Sequence, residues 1–141
     1  MAEDASRAYS EELLEHFRRP RNVGSLADPD GVGKVGDPAC GDFLEVSIRV
    51  SGNRLAEVRF RCRGCPAAIA CASKLTELAT GLDLDEASEI TDEAVAAAVG
   101  GLPAAKLHCS SLAASALHEA ILDHVVRAVA AEARSRRSAA P

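Results

Sequence analysis

Two segments of strict two-residue alternation, followed by a switch to helical spacing, constrain the fold of this chain most. Leu44, Val46, Ile48 and Val50 alternate with Glu45, Ser47 and Arg49. Successive side chains of a strand point to opposite faces, so this pattern predicts a half-buried strand. Ser51-Gly52-Asn53 reads as a turn, after which Val58, Phe60 and Cys62 alternate with Glu57, Arg59, Arg61 and Arg63. The pair predicts an antiparallel hairpin, with a third strand around Val32 to Val35.

Helical spacing begins at Pro66, a residue favoured at a first helical position because its missing N–H is not needed there. Ala68, Cys71, Leu75 and Leu78 form one stripe, and Gly81 is placed to stop that helix. Further helices are predicted from about Asp85 to Glu89 and from Thr91 through Val99. Pro103 to His108 then reads as a connector to a long helix starting near Ser110 and carrying Leu112, Leu117, Ala120, Ile121 and Val125. Near the start, Ser10 is a plausible cap for a short helix with Leu13, Leu14 and Phe17, stopped by Pro20. Strands before helices predict an α+β domain: a small antiparallel sheet of about three strands, helices on one face, and a long C-terminal helix.

At 141 residues the chain is sized for one domain, expected over residues 9–133. The small, polar residues 1–8 and the arginine-rich residues 134–141 read as flexible tails. No apolar run approaches the roughly 20 residues of a membrane helix. The acidic start Met1-Ala2-Glu3-Asp4 lacks an export pattern, so a cytoplasmic protein without membrane attachment is expected. A net charge of −5 and 3% aromatic residues argue against nucleic acid, which calls for positive charge and stacking surfaces.

Five cysteines cannot all pair within one chain, and without an export signal they read as thiols for chemistry or metal binding. Cys62 shares the inward parity of Val58 and Phe60, and Cys71 lies on an apolar helix stripe, so both are expected in the core. The other three sit at element boundaries. Cys40 lies in the turn-rich Asp37-Pro38-Ala39-Cys40-Gly41-Asp42, Cys65 at the cap position before Pro66, and Cys109 one residue before the expected cap Ser110. Helix N-termini carry positive potential, which predicts lowered thiol pKa values. With Asp42 two residues beyond Cys40 and His108 beside Cys109, the donor set suits zinc, ferrous iron or an iron–sulfur cluster. His16, His118 and His124 have no cysteine neighbours and are assigned structural roles.

Two motifs are discounted. Gly31-Val32-Gly33-Lys34-Val35-Gly36 matches a dinucleotide-binding glycine pattern, but a loop precedes it and a strand follows, where a βαβ unit is required. Cys62-Arg63-Gly64-Cys65 matches a C-x-x-C redox motif, but the helix starts after the second cysteine rather than at the first.

The boundary segments together resemble the IscU/NifU-type iron–sulfur cluster assembly scaffold family. The stretches are Arg19-Pro20-Arg21-Asn22-Val23-Gly24, Gly36-Asp37-Pro38-Ala39-Cys40-Gly41-Asp42, Gly64-Cys65-Pro66-Ala67-Ala68-Ile69-Ala70 and Lys106-Leu107-His108-Cys109-Ser110-Ser111-Leu112-Ala113, in order, within a match from about Tyr9 to His124. The resemblance implies a noncatalytic scaffold that builds a transient [2Fe–2S] cluster on Cys40, Cys65 and Cys109 and passes it to apo-proteins. An iron ion before the cluster exists, and zinc in the isolated protein, are the other implied occupants. Asp42 would be a labile helper, His108 a neighbouring ligand, Lys106 a residue near the site, and Cys109 the acceptor of persulfide sulfur from a cysteine desulfurase. Iron and electron donors and apo iron–sulfur client proteins are the further implied partners, and a homodimer is left open.

Departures narrow this expectation. Leu102-Pro103-Ala104-Ala105-Lys106 lacks the second proline and the valine of the segment that a dedicated Hsp70-type chaperone recognises, which argues against that partnership. Pro66, Ala67 and Cys71 replace small polar residues common in bacterial IscU proteins, which suggests a separate stand-alone branch. No long insertion separates the helices, unlike in zinc-dependent sulfur-transfer relatives, and the cluster-carrier domain of full-length NifU is not expected. The competing readings are a zinc-bound sulfurtransferase accessory using the same ligands, and a thiol redox module on Cys62 and Cys65.

Overall fold

The alternating segments become the centre of a three-stranded antiparallel sheet, ordered β1 (Gly31–Gly36), β2 (Phe43–Ser51), β3 (Arg54–Arg63). The computed structural model describes residues 9–36 and 41–139. Leu44 pairs with Cys62, Val46 with Phe60 and Ile48 with Val58, so the apolar positions of both strands share one face. Leu44, Val46, Ile48, Val58 and Phe60 are buried there. A register shift at Arg49/Val50 breaks the alternation, which leaves Val50 only half-buried. Gly52 and Asn53 both take positive φ, 58° and 63°, as a tight two-residue hairpin turn requires.

The helices are α1 (Glu11–Arg18), α2 (Pro66–Ala79), α3 (Leu84–Ser88), α4 (Asp92–Ala98) and α5 (Leu107–Ala139), with a 3₁₀ turn at Ala104–Lys106. Helices α2 and α5 cover the apolar face of the sheet, α1 packs on α2, and α4 packs on α5. Caps explain the starts. Ser10, Asp83 and Thr91 accept from backbone N–H groups of the first turns of α1, α3 and α4, and Pro66 opens α2. Among the described residues no helix is long and apolar enough to cross a membrane.

The discounted glycine motif has a packing role. A Cβ on Gly33 would fall far inside van der Waals contact of the Ala116 carbonyl oxygen, and 2.5 Å from the Ala120 nitrogen. Gly31 meets the Ala120 carbonyl in the same way. Bare glycines let the α5 backbone lie directly on β1. The helix also covers the free sheet edge, because Asp123 Oδ2 accepts the Val32 N–H at 2.9 Å.

Four expectations are corrected. Leu13 and His16 form the buried face of α1, while Phe17 is exposed. Burial on α2 extends well beyond one stripe, to Ala67, Ala70, Ala72, Ser73 and Thr76, because the helix is enclosed by the sheet, α1 and α5. Helix α5 starts at Leu107, since the 3₁₀ turn after Pro103 runs straight into it without a polar cap. It also continues through residues 134–139, which alanine and arginine favour and a Glu132–Arg136 pair one turn apart supports.

Candidate functional site

The end of β3, the start of α2 and the start of α5 meet at one edge of the domain. Cys65 is the residue before the first turn of α2, with extended backbone (φ −73°, ψ 166°). Cys109 lies in the first turn of α5. Their Sγ atoms are 3.6 Å apart. His108 Nε2 is 3.7 Å from the Cys109 Sγ and 4.0 Å from Asp42 Oδ2. Asp42 and His108 are each about half exposed, so this row of sulfur, nitrogen and oxygen donors opens to solvent. Gly64 helps to close it up: a Cβ there would stand 3.2 Å from Ala68 Cβ and 3.4 Å from Asp42 Oδ1.

Of the expected site residues, Asp42, Cys65, His108 and Cys109 are therefore brought together. Cys40 lies outside the described residues. Among the described residues no three Cys, His, Asp or Glu side chains already converge as a metal-holding group. The chemistry of the donor set still fits iron or an iron–sulfur unit, which thiolate sulfur and imidazole nitrogen bind well.

The expected lowering of thiol pKa is not what Cys109 shows. Its residue is only 1% exposed, and burial, followed by its contact with Cys65, pushes the thiol up to about 12. The helix N-terminus is outweighed because desolvation of a thiolate is the larger effect. Burial likewise raises Cys71 to about 12 and Cys62 to about 11. Cys71 is fully enclosed, as expected, whereas Cys62 is only half-buried at the strand end. The four described cysteines are all free thiols. Lys106 stands beside the pair, and the charge of a Cys65 thiolate, then that of Tyr9, holds its ammonium above the usual range.

A polar brace along α2, two to three turns beyond Cys65, is not apparent from the sequence. Arg21 donates its backbone N–H to Ser73 Oγ (2.9 Å), and the Asn22 amide donates to Thr76 Oγ1 (3.0 Å). Phe60 N–H donates to the Asn22 carbonyl and Gly24 N–H to the Phe60 carbonyl, so the segment clips α2 to β3. Buried His16 completes the brace, with Nδ1 2.7 Å from Ser73 Oγ and Nε2 3.1 Å from Glu77 Oε1. Asn22 takes a φ of 59°, a left-handed conformation in which asparagine is over-represented. The available signal was the Arg19–Gly24 stretch itself, whose partners in α2 lie about 50 residues away. Tyr9, next to Lys106, was also unassigned.

The sequence profile of the NifU-like N terminal domain matches residues 8–131. The chain is 52% identical over 116 residues to the iron–sulfur cluster assembly scaffold protein IscU 1 of Archaeoglobus fulgidus, covering 82% of this chain and 76% of that protein. It is 42% identical over 121 residues to the scaffold protein IscU of Aquifex aeolicus, covering 84% and 77%. The fold is similar to that of a NifU-like N-terminal protein from Brucella abortus, with a TM-score of 0.67, 18% identity, and 85% and 96% of the two chains covered. A SUF-system scaffold protein from Fervidobacterium islandicum is equally similar, with a TM-score of 0.67, 17% identity, and 83% and 98% covered.

Proposed function

The chain belongs to the NifU-like N-terminal domain family, and from that premise we propose that it assembles a [2Fe–2S] cluster on Cys40, Cys65 and Cys109 and hands it to apo-proteins. The role of noncatalytic scaffold follows from relatives named for it at 42–52% identity over most of the chain. The observation that carries the finer reading is the Cys65–Cys109 pair, 3.6 Å apart, with His108 and Asp42 in line beside it.

The cluster is the scaffold's cargo, and the residues act on it in different ways. Cys65 and Cys109 supply soft sulfur from two helix starts that are braced against one sheet, and Cys40 supplies the third thiolate. Asp42 is a harder donor for iron, exposed to solvent, and exchanges readily. That makes the site releasable, as a scaffold requires. His108 is a second, neighbouring donor for metal before the cluster is complete. Sulfur comes as persulfide from a cysteine desulfurase, with Cys109 as its destination.

Anaerobic reconstitution with ferrous iron, a cysteine desulfurase and cysteine, followed by absorption spectroscopy, tests this function. A visible cluster spectrum that disappears in Cys65→Ala is expected. Tight zinc binding with persulfide on Cys109 and no cluster would overturn it.

A further inference from the structure

Helix α5 has a second apolar face that the fold does not use. Its inner face, Ala113, Ala116, Leu117, Ala120 and Ile121, is buried. On the opposite side Leu122, Val125, Val126 and Val129 are 55%, 43%, 57% and 60% exposed. Their spacing (i, i+3, i+4, i+7) makes one stripe, the pattern by which helices pack on helices. Scattered exposed apolar residues need no explanation, but a continuous stripe on one helix marks an interaction surface.

The charges around the stripe indicate what lies on it. Before it are the exposed Glu119 and a groove lined by Ser88, Glu89, Asp92, Ser115 and His118, with two carboxylates. After it come the exposed Glu132, Arg134, Arg136 and Arg137, an end that stays net positive although Glu132 pairs with Arg136. A parallel partner helix would stack arginine on arginine. An antiparallel copy of α5 sets each basic end against the other copy's acidic end, and the same patch serves both chains, as twofold symmetry requires.

We propose that this face holds α5 of a second copy, antiparallel, with Val126 opposite Val129, Leu122 opposite Ala133, and Glu119 opposite Arg136. The stretch from Glu119 to Arg136 is about 27 Å long. One helix pair of that length is a modest contact beside the roughly 800 Å² per partner of a standard interface, so the dimer dissociates on dilution. The twofold axis falls between residues 127 and 128. Each Cys109 is then about 28 Å from it along the helix, and the two sites lie about 55 Å apart. Both cysteine edges therefore stay open, and each protomer works as a complete site.

Sedimentation velocity over a range of concentrations tests the pairing. The native chain should pass from monomer to dimer, and Val126→Arg should remain monomeric with an unchanged circular-dichroism spectrum and, at concentrations where both chains are monomeric, an unchanged melting temperature, because that side chain is outside the core. Glu119→Arg or Arg136→Glu alone should weaken the dimer about tenfold, and the double reversal should restore it. A native chain that is monomeric throughout, or a dimer indifferent to Val126→Arg, would overturn the proposal. Failure of the double reversal to restore association would overturn the antiparallel register. If Val126→Arg leaves the mass unchanged but abolishes desulfurase binding, the face belongs to another protein and the proposal is overturned.

Discussion

Cys65 and Cys109 stand 44 residues apart in the chain, yet their Sγ atoms are 3.6 Å apart, and they differ in access: Cys65 is half-buried and Cys109 almost wholly covered. On the proposed function, a large donor such as a desulfurase loop would meet Cys65 first. In the same proposal, sulfur then reaches Cys109 when the Cys109 sulfur attacks the terminal sulfur of a Cys65 persulfide, the old S–S bond breaks, and the proton given up by the Cys109 thiol passes to the departing Cys65 sulfur. No oxidant or reductant enters that exchange. Peptide mapping after brief exposure to desulfurase and cysteine should find the persulfide on Cys65 before Cys109, and Cys65→Ser should slow loading of Cys109. Loading of Cys109 at full rate in that variant would contradict the order.

In the proposed function Asp42 governs release of the cluster. Its carboxylate is half exposed and is a poorer partner for iron than thiolate, so the proposal makes it the position that an acceptor's thiolate would enter. Asp42→Ala should leave a longer-lived cluster that transfers several-fold more slowly to an apo-ferredoxin, followed by absorption or circular dichroism. An unchanged transfer half-time would remove that role.

Gly33 carries the contact between β1 and α5. Alanine there must push the helix backbone away at Ala116 and Ala120. Overpacking of this kind costs about 2–3 kcal/mol, which lowers the melting temperature by about 10 °C in a domain of this size. Calorimetry of Gly33→Ala checks this, and a shift within error of zero would show that the helix does not lie on the strand as described.

His16 predicts a pH dependence of stability. Burial holds its pKa below the ordinary 6.5, and as neutral imidazole Nδ1 accepts from Ser73 while Nε2 donates to Glu77. Above about pH 6.5 both folded and unfolded chains carry the neutral ring, and its stabilisation is fully present. As pH falls below 6.5 the unfolded chain takes up a proton that the folded one resists, and stability declines until the folded pKa is passed. Urea midpoints should fall from pH 7.5 to pH 5 more steeply in the native chain than in His16→Gln. Equal slopes would contradict the assignment.

Features set by short-range chemistry are legible in the sequence alone. Alternation at Leu44–Ile48 and Val58–Phe60 specifies strands and their buried face, and Pro66 specifies the start of α2, which puts Cys65 at a helix entrance. What depends on packing was not legible. Ser47, on the polar side of β2, is buried because the loop before β1 crosses it and Leu26 N–H donates to its hydroxyl. The raised Cys109 thiol has the same origin: sequence position reports a helix terminus, but only packing reports how much water remains. The exposed side of α5 shows no interruption either, since alanine and valine continue the helix whether or not anything lies on them.

In the proposed scaffold, three of the five cysteines hold the cluster and two do not. The most direct measurement changes each cysteine to serine in turn and determines iron, acid-labile sulfide and the absorption spectrum after anaerobic reconstitution. Loss of the cluster is expected in Cys40→Ser, Cys65→Ser and Cys109→Ser, and a native spectrum in Cys62→Ser and Cys71→Ser. A full cluster without Cys65 or Cys109, or its loss in a folded Cys62→Ser chain, would contradict it.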